Sequence, residues 1–217
     1  IPLSIYCPEA IQQTIPTDFK DFDPKGQGYS SLLIGPGLGT EQDLVEAVEK
    51  CLISGLPMVI DADGLNLMAQ QDDLLTNLRA HHILTPHIGE FERLFGPSES
   101  EFERIQLLRD RAMALGCVIL LKGRYTAIAD PCGHISFNSS GSPSLASAGS
   151  GDVLSGLICA LLSQAYPTMV AAQLGAFLHG LSAQIEQEVV HSERSTATRI
   201  IDHLPQAFAA VLSKRRS

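Results

Sequence analysis

The feature that most constrains this chain is an alternation: short runs of apolar, β-branched residues recur between longer segments whose apolar positions repeat with helical period. Runs at 3–6, 31–34, 57–60, 82–85 and 117–121 predict strands. Between two of them, 41–53 carries Leu44, Val45, Val48 and Leu52 at helical spacing, with Thr40 placed to cap it. Helical pattern returns at 65–70, after Glu90, and at 99–115, where Gly116 ends it. The runs 125–129 and 135–138 flank Pro131-Cys132-Gly133 and predict an antiparallel hairpin. A Ser- and Gly-rich loop at 139–150 then leads into three helices that end near Lys214. Strands alternating with helices that cover both faces predict an α/β sandwich around a mostly parallel sheet, its central strands nearly all apolar. With no internal repeat and no linker, residues 1–217 read as one domain.

Composition removes several classes of function. Hydrophobic residues make up 45% of the chain and charged residues 18%, a balance that suits a folded globule and excludes a disordered chain. No apolar run approaches the roughly 18 residues of a membrane span, and the densest stretch, 153–162, is broken by Ser155 and Gly156 and reads as a buried helix. Fifteen Lys and Arg against 24 Asp and Glu give a net charge of −9, which repels a nucleic-acid backbone. Cys7, Cys51, Cys117, Cys132 and Cys159 form no C-x-x-C pair, so reduced thiols of a cytoplasmic protein are expected, with neither a disulfide framework nor a structural zinc site. The first twenty residues carry no secretory-signal pattern, and Ile at position 1 suggests a fragment or a processed product.

In an open α/β sheet, ligands bind beyond the carboxyl ends of the strands. The unusual residues gather there: Gly35 to Gly39 after one strand, Asp61 and Asp63 after the next, His87 and Glu90 after a third, Lys122 and Gly123 after a fourth. Four such ends suggest one shared cleft. The sharpest signal is Ala148-Gly149-Ser150-Gly151-Asp152, a glycine loop opening an apolar helix, whose free N–H groups and dipole suit a phosphate or oxyanion. Asp152 is equally welcome there as an ordinary first-turn carboxylate. Neither G-x-x-x-x-G-K-[ST] nor G-x-G-x-x-G occurs.

The other motifs each admit a plain reading too. Gly35-Pro36-Gly37-Leu38-Gly39 lets a ligand approach the backbone or is a tight turn. Asp61 and Asp63 are candidates for a water-held Mg²⁺ shell, or Asp63 caps a helix. In Thr85-Pro86-His87-Ile88-Gly89-Glu90, Glu90 is a candidate to orient hydrated Mg²⁺ and His87 to touch substrate; the alternative is a capped helix. His81 and His82 lack the i, i+4 spacing of a zinc pair. Lys122 or Thr126 suits a nucleotide phosphate, although lysine is also common at exposed turns. His179, in the apolar segment Gly175-Ala176-Phe177-Leu178-His179-Gly180-Leu181, reads as a packed core histidine, and Lys214-Arg215-Arg216 as a solvated tail.

In order, Gly35-Pro36-Gly37-Leu38-Gly39, Asp61-Ala62-Asp63-Gly64-Leu65-Asn66, Thr85-Pro86-His87 with Gly89-Glu90, Leu121-Lys122-Gly123 and Gly149-Ser150-Gly151-Asp152 resemble the ADP- or ATP-dependent NAD(P)H-hydrate dehydratases of the ribokinase-like superfamily. The resemblance implies a three-layer α/β/α sandwich and a metabolite-repair enzyme. Such an enzyme restores NADH or NADPH from the hydrated S-form by phosphorylating the hydrate's hydroxyl and eliminating phosphate. It implies that Lys122, Gly123, Arg124, Tyr125, Thr126 and Gly151 contact the adenine nucleotide, and that Gly37, His87 and Asp152 face the hydrated nicotinamide nucleotide. Asp152 would take the hydroxyl proton while the Gly149, Ser150 and Gly151 amides stabilise the transferring phosphoryl group. Glu90 and Asp61 would hold Mg²⁺ through water. A homo-oligomer is implied, as is cooperation with, or fusion to, the epimerase that interconverts the hydrate's forms. Family members begin with a further strand, glycine loop and helix, which this chain is expected to lack. A vitamin or sugar kinase of the same superfamily and a catalytically inactive nucleotide-binding regulator are the alternative expectations.

Overall fold

A computed structural model describes residues 7, 9–11, 22–190 and 196–213. The expected strand at 3–6 and the basic tail from Lys214 lie outside the described residues. Among the described residues six strands form one sheet in chain order: β1 (Leu32–Ile34), β2 (Met58–Ile60), β3 (His82–Leu84), β4 (Val118–Leu121), β5 (Ala127–Ala129) and β6 (Ile135–Phe137). The first four run parallel, in register Leu32↔Met58, Met58↔His82 and Ile83↔Val118, and β4, β5 and β6 form an antiparallel meander. Among the described residues seven α-helices accompany them: α1 (Leu44–Ile53), α2 (Ala62–Gln70), α3 (Ile88–Phe95), α4 (Glu101–Leu115), α5 (Ser150–Ser163), α6 (Thr168–Val190) and α7 (Ala197–Ser213).

The layering follows from the two-residue period of a strand. Met58, Ile60, Leu84, Ile119 and Leu121 face one side and pack with Val48 and Leu52 of α1, Leu65 and Met68 of α2, Phe91 of α3 and Leu108 of α4. Val59, Ile83, Val118 and Leu120 face the other and meet Leu154, Ile158 and Leu161 of α5 and Ala172 and Ala176 of α6. Every residue of β2, β3 and β4 is buried, as expected for parallel strands covered on both sides. Fully burying one such aliphatic or aromatic side chain stabilises the fold by about 1.5–3 kcal/mol. Close helix packing uses glycine: a Cβ on Gly175 of α6 would lie 2.5 Å from Ile158 Cγ1 of α5.

Two helix starts differ from expectation. Helix α1 begins at Leu44, not at 41; a turn with Leu44 N–H to Glu41 O (3.0 Å) and Val45 N–H to Gln42 O (3.3 Å) precedes it, so Thr40 does not cap it. Helix α2 begins at Ala62, and its cap is Asp61, whose Oδ1 accepts the Ala62 N–H at 2.9 Å. Asp63 therefore sits inside the first turn instead of at the cap. The cysteines are free: Cys51 and Cys117 are buried, and burial pushes their thiols up to about 11 and about 12, whereas Cys7 and Cys132 are exposed. Among the described residues no helix is long and apolar enough to cross a membrane.

Candidate active site

Beyond the carboxyl ends of β1 to β4, backbone constraints bring the glycine turn, two carboxylates, His87 and Lys122 together. At the exit from β1, a Cβ on Gly35 (φ 124°) would lie 1.7 Å from the Asp61 carbonyl oxygen, so only glycine lets this turn cross the end of β2. Gly37 (φ 65°) has nothing within 4 Å of such a Cβ and faces open space. Gly39 donates its N–H to Asp63 Oδ2 at 2.9 Å, and Asp63 Oδ1 accepts from Asn66 Nδ2 at 3.2 Å. Asp63 thus stitches the glycine turn to α2. Between the two aspartates, Ala62 holds a left-handed φ of 46°, a strained conformation for alanine.

After β3, His87 caps α3 with a reciprocal box: its Nδ1 accepts the Glu90 N–H at 3.1 Å, and Glu90 Oε2 accepts the His87 N–H at 2.8 Å. An Nδ1 that accepts leaves Nε2 as the donor edge of the ring, half-exposed and 3.4 Å from Glu90 Oε1. Glu90 is buried, so the helix-capping alternative is realised without hiding the imidazole. Lys122 follows β4; its N–H donates to Pro86 O at 2.8 Å and it bridges His87 across the strand ends.

The Lys122 ammonium is the junction of the site. Nζ lies 2.7 Å from Asp61 Oδ1, 3.9 Å from Glu90 Oε2, and 3.5 Å from where a Cβ on Gly151 would stand. One cation therefore links the ends of β2 and β4, the first turn of α3 and the N-terminus of α5. This arrangement fits poorly with Asp61 and Glu90 as Mg²⁺ holders. Asp61 is 1% exposed and its Oδ1 already serves both the helix cap and Lys122, while Glu90 is committed to His87 and faces the same ammonium. Beyond Lys122, Gly123, Arg124 and Tyr125 are exposed, Arg124 lies 5.5 Å from the Tyr125 ring centroid, and Thr126 Oγ1 donates to Gly123 O at 3.4 Å.

Helix α5 opens from Gly149 in the left-handed conformation (φ 82°, ψ −8°). Ser150 turns inward, its N–H donating to Ser147 O (3.3 Å) and its hydroxyl to Leu145 O (2.5 Å). Val153 N–H returns to Gly149 O, which leaves the Gly151 and Asp152 amides without a backbone acceptor among the described residues. The cradle is thereby narrower than the whole loop. The Asp152 side chain is exposed and makes no hydrogen bond or ion pair among the described residues. A residue missed by the sequence reading is His179 of α6. It is buried as expected, but beside the Ser150 backbone and within the field of Lys122, with Nε2 unpartnered. Burial, helped by Lys122 and opposed by the Ser150 contact, lowers its pKa to about 4, so the ring is neutral at pH 7.

The chain carrying these strand ends matches known proteins along most of its length. Residues 1–206 match the family model described as NAD(P)H-hydrate dehydratase. The chain belongs to the NAD(P)H-hydrate dehydratase family. Over 206 residues it is 37% identical to the bifunctional NAD(P)H-hydrate repair enzyme of Mycobacterium leprae, covering 94% of this chain and 42% of that protein. The chain thus spans less than half the length of the curated relatives it matches first. Among solved structures, the ADP/ATP-dependent NAD(P)H-hydrate dehydratase of Bacillus subtilis, co-crystallised with ATP and Mg²⁺, superposes with a TM-score of 0.77 at 29% identity, covering 96% of this chain and 74% of that one. A ribokinase-like superfamily protein of Enterococcus faecalis gives 0.77 at 26% identity over 94% of this chain and 71% of that one. The fold is therefore the ribokinase-like sandwich expected from the motifs.

Proposed function

We propose that this chain is one catalytic domain that dehydrates (S)-NAD(P)H hydrate to NAD(P)H at the expense of ADP or ATP. The observation that carries the reading is the unpaired, exposed Asp152 beside the free Gly151 amide, with Lys122 Nζ 3.5 Å from the Gly151 Cβ position. In that reading Asp152 takes the proton of the hydrate's hydroxyl as its oxygen attacks the terminal phosphorus of the nucleotide. The Gly151 and Asp152 amides, with the dipole of α5, hold the transferring phosphoryl oxygens; Gly149 sets their direction, and Ser150 braces the loop from below. The carbon–oxygen bond then breaks with phosphate leaving, and the neighbouring carbon loses a proton to restore the double bond. Lys122 and the exposed segment through Gly123, Arg124, Tyr125 and Thr126 receive the adenine nucleotide, while Gly37 and the Nε2–H edge of His87 face the hydrated nicotinamide.

Mg²⁺ belongs to this proposal as the companion of the nucleotide phosphates, whose charge it would offset. Given the Lys122 pairings, it is assigned to phosphate oxygens and water in preference to Asp61 or Glu90. The bifunctional name of the mycobacterial relative supports cooperation with an epimerase, joined to the domain or separate. A homo-oligomer, by family likeness, and a cytoplasmic setting, by the free cysteines, complete the reading.

The test is recovery of NADH absorbance from purified S-hydrate with ADP, with ATP and with no nucleotide. Recovery that requires a nucleotide, with one phosphate released per NADH, is the expected result. A phosphorylated hydrate that accumulates instead would assign a kinase, and nucleotide binding without turnover would assign a non-catalytic regulator.

A further inference from the structure

The hairpin turn between β5 and β6 gathers three side chains of three donor types for which the proposed reaction has no use. The ligand-type atoms of Asp130, Cys132 and His134 all lie within 4.8 Å of one another. The backbone builds this arrangement. Asp130 Oδ1 accepts the N–H groups of both Cys132 (2.9 Å) and His134 (3.0 Å), so the two other donors hang from the same carboxylate. Asp130 N–H donates to His134 O (3.1 Å) and Gly133 N–H to Asp130 O (3.0 Å), closing the turn on itself. Gly133 (φ 83°) packs the tip against α4, where a Cβ would lie 2.9 Å from Met113 Sδ. The spacing D-x-C-x-H carries no C-x-x-C signature, and it becomes a chelate only because the chain reverses here.

The donors are open to solvent and chemically matched. Cys132 is exposed, the His134 side chain is 77% exposed and that of Asp130 is 18% exposed, so an ion can enter without unfolding the turn. His134 Nδ1 stands 2.9 Å from Asp130 Oδ2. With metal–ligand distances of about 2.0–2.2 Å, that separation closes a bite of about 90°, and opening it to about 3.3 Å gives a tetrahedral one. Burial alone would raise the Asp130 carboxyl, but the bonds it accepts from His134 and Cys132 hold it below its ordinary value, so it is an anion over the useful pH range. Carboxylate, imidazole and thiolate together suit a borderline-soft divalent ion, and two anionic ligands balance its charge.

We infer that this turn is a Zn²⁺ site, with Asp130, Cys132 and His134 as its three protein ligands and water in the fourth position. On binding, the Cys132 thiol releases its proton to solvent, while the imidazole takes the metal through Nδ1 and keeps its N–H at Nε2. Strand β5 runs from the Lys122–Thr126 segment to this turn, so the ion would clamp the end of the hairpin opposite the proposed nucleotide contacts. The inference stands independently of the proposed reaction.

Co²⁺ is the probe, titrated into the purified chain carrying Cys7→Ser to remove the other exposed thiol. One Co²⁺ per chain is expected, with a thiolate-to-cobalt charge-transfer absorption that Zn²⁺ displaces and about one proton released per ion. Cys132→Ser should abolish that absorption, and His134→Ala should weaken binding by about 10-fold or more. Asp130→Asn keeps an oxygen for the two amides and loses the anionic ligand, so it should weaken binding without loosening the turn. Zn²⁺ should also raise the melting temperature of the parent and not of Cys132→Ser. Absorption that survives Cys132→Ser, affinity unmoved by His134→Ala, or the absence of saturable binding would each overturn the site. NADH recovery by Cys132→Ser should match the parent, which separates this test from that of the reaction.

Discussion

Lys122 Nζ lies 2.7 Å from Asp61 Oδ1, pairing the ends of two strands that are not neighbours in the sheet and whose residues are 61 positions apart in sequence. Asp61 is 1% exposed, so its carboxylate depends on that ammonium and on the Ala62 amide for the solvation it has lost. Lys122→Met keeps most of the length of the side chain and removes the charge. Leaving a buried carboxylate unpaired should destabilise the fold by about 3 kcal/mol. Asp61→Asn in the same chain should recover much of that loss, because the amide needs no counter-ion. Urea unfolding of both single variants and the double variant gives the coupling directly. Calorimetry with ADP then separates the roles: affinity should fall in Lys122→Met and stay low in the double variant. Full ADP affinity in either would leave Lys122 as a structural ion-pair partner alone.

Asp152 differs from the other carboxylates of the site in having no partner among the described residues. Its replacement should therefore disturb little except chemistry. Asp152→Asn is expected to abolish NADH recovery, to change ADP affinity by no more than a few-fold, and to leave the unfolding midpoint within the scatter of surface substitutions, about 0.5 kcal/mol. Turnover at the parental rate would remove Asp152 from the mechanism.

The alternation of strands and helices, and the gathering of Gly35, Asp61, His87 and Lys122 beyond the strand ends, were legible because the strands are short, apolar and ended by residues with unusual chemistry. What could not be read was which carboxylate does what. Asp61 and Asp63 are two residues apart, and the cap falls to whichever precedes the first helical residue; the pattern put that residue at Leu65, and the chain turns helical at Ala62. The Lys122 pairing depends on sheet register, which no local pattern carries. His179 was assigned to the core correctly, but a 3.6-residue period says only that a face is buried, not that the buried face abuts the glycine loop. A polar ring among Gly and Ala neighbours was the one available signal.

Two buried histidines predict acid lability. Burial, with smaller contributions from the charges of His81 and Arg79, lowers His82 to about 3, and burial lowers His179 to about 4. In the unfolded chain both titrate near 6.5. Above that value folded and unfolded states hold the same protons, and the full stability is present. Below it the unfolded chain takes up protons that the folded chain refuses, so stability falls as pH drops from about 6.5 toward about 4, by on the order of a few kcal/mol. His82 Nδ1 accepts the Arg79 N–H at 3.2 Å and its Nε2 has no partner, so His82→Asn offers a like-placed acceptor without a titrating ring. The urea midpoint measured from pH 7.5 to pH 4.5 should fall steeply in the parent and less in His82→Asn. Parallel curves would mean that His82 is not among the groups responsible.

Gly35 and Gly37 share a positive φ but face different surroundings, and the difference predicts opposite phenotypes. At Gly35 a methyl group would meet the Asp61 carbonyl oxygen at 1.7 Å and the Gly64 nitrogen at 2.8 Å, both backbone atoms that cannot swing aside. Gly35→Ala should therefore cost more than about 4 kcal/mol, enough to leave little folded protein. At Gly37 the methyl group meets nothing within 4 Å, so Gly37→Ala carries only the left-handed backbone penalty of about 1–2 kcal/mol and should fold. That open space is where the proposed function puts the hydrated nicotinamide. Gly37→Ala should accordingly raise KM for the hydrate several-fold while leaving the affinity for ADP unchanged. If KM holds and ADP binding weakens instead, the glycine turn belongs to the nucleotide, and the two ligands must exchange places across Lys122.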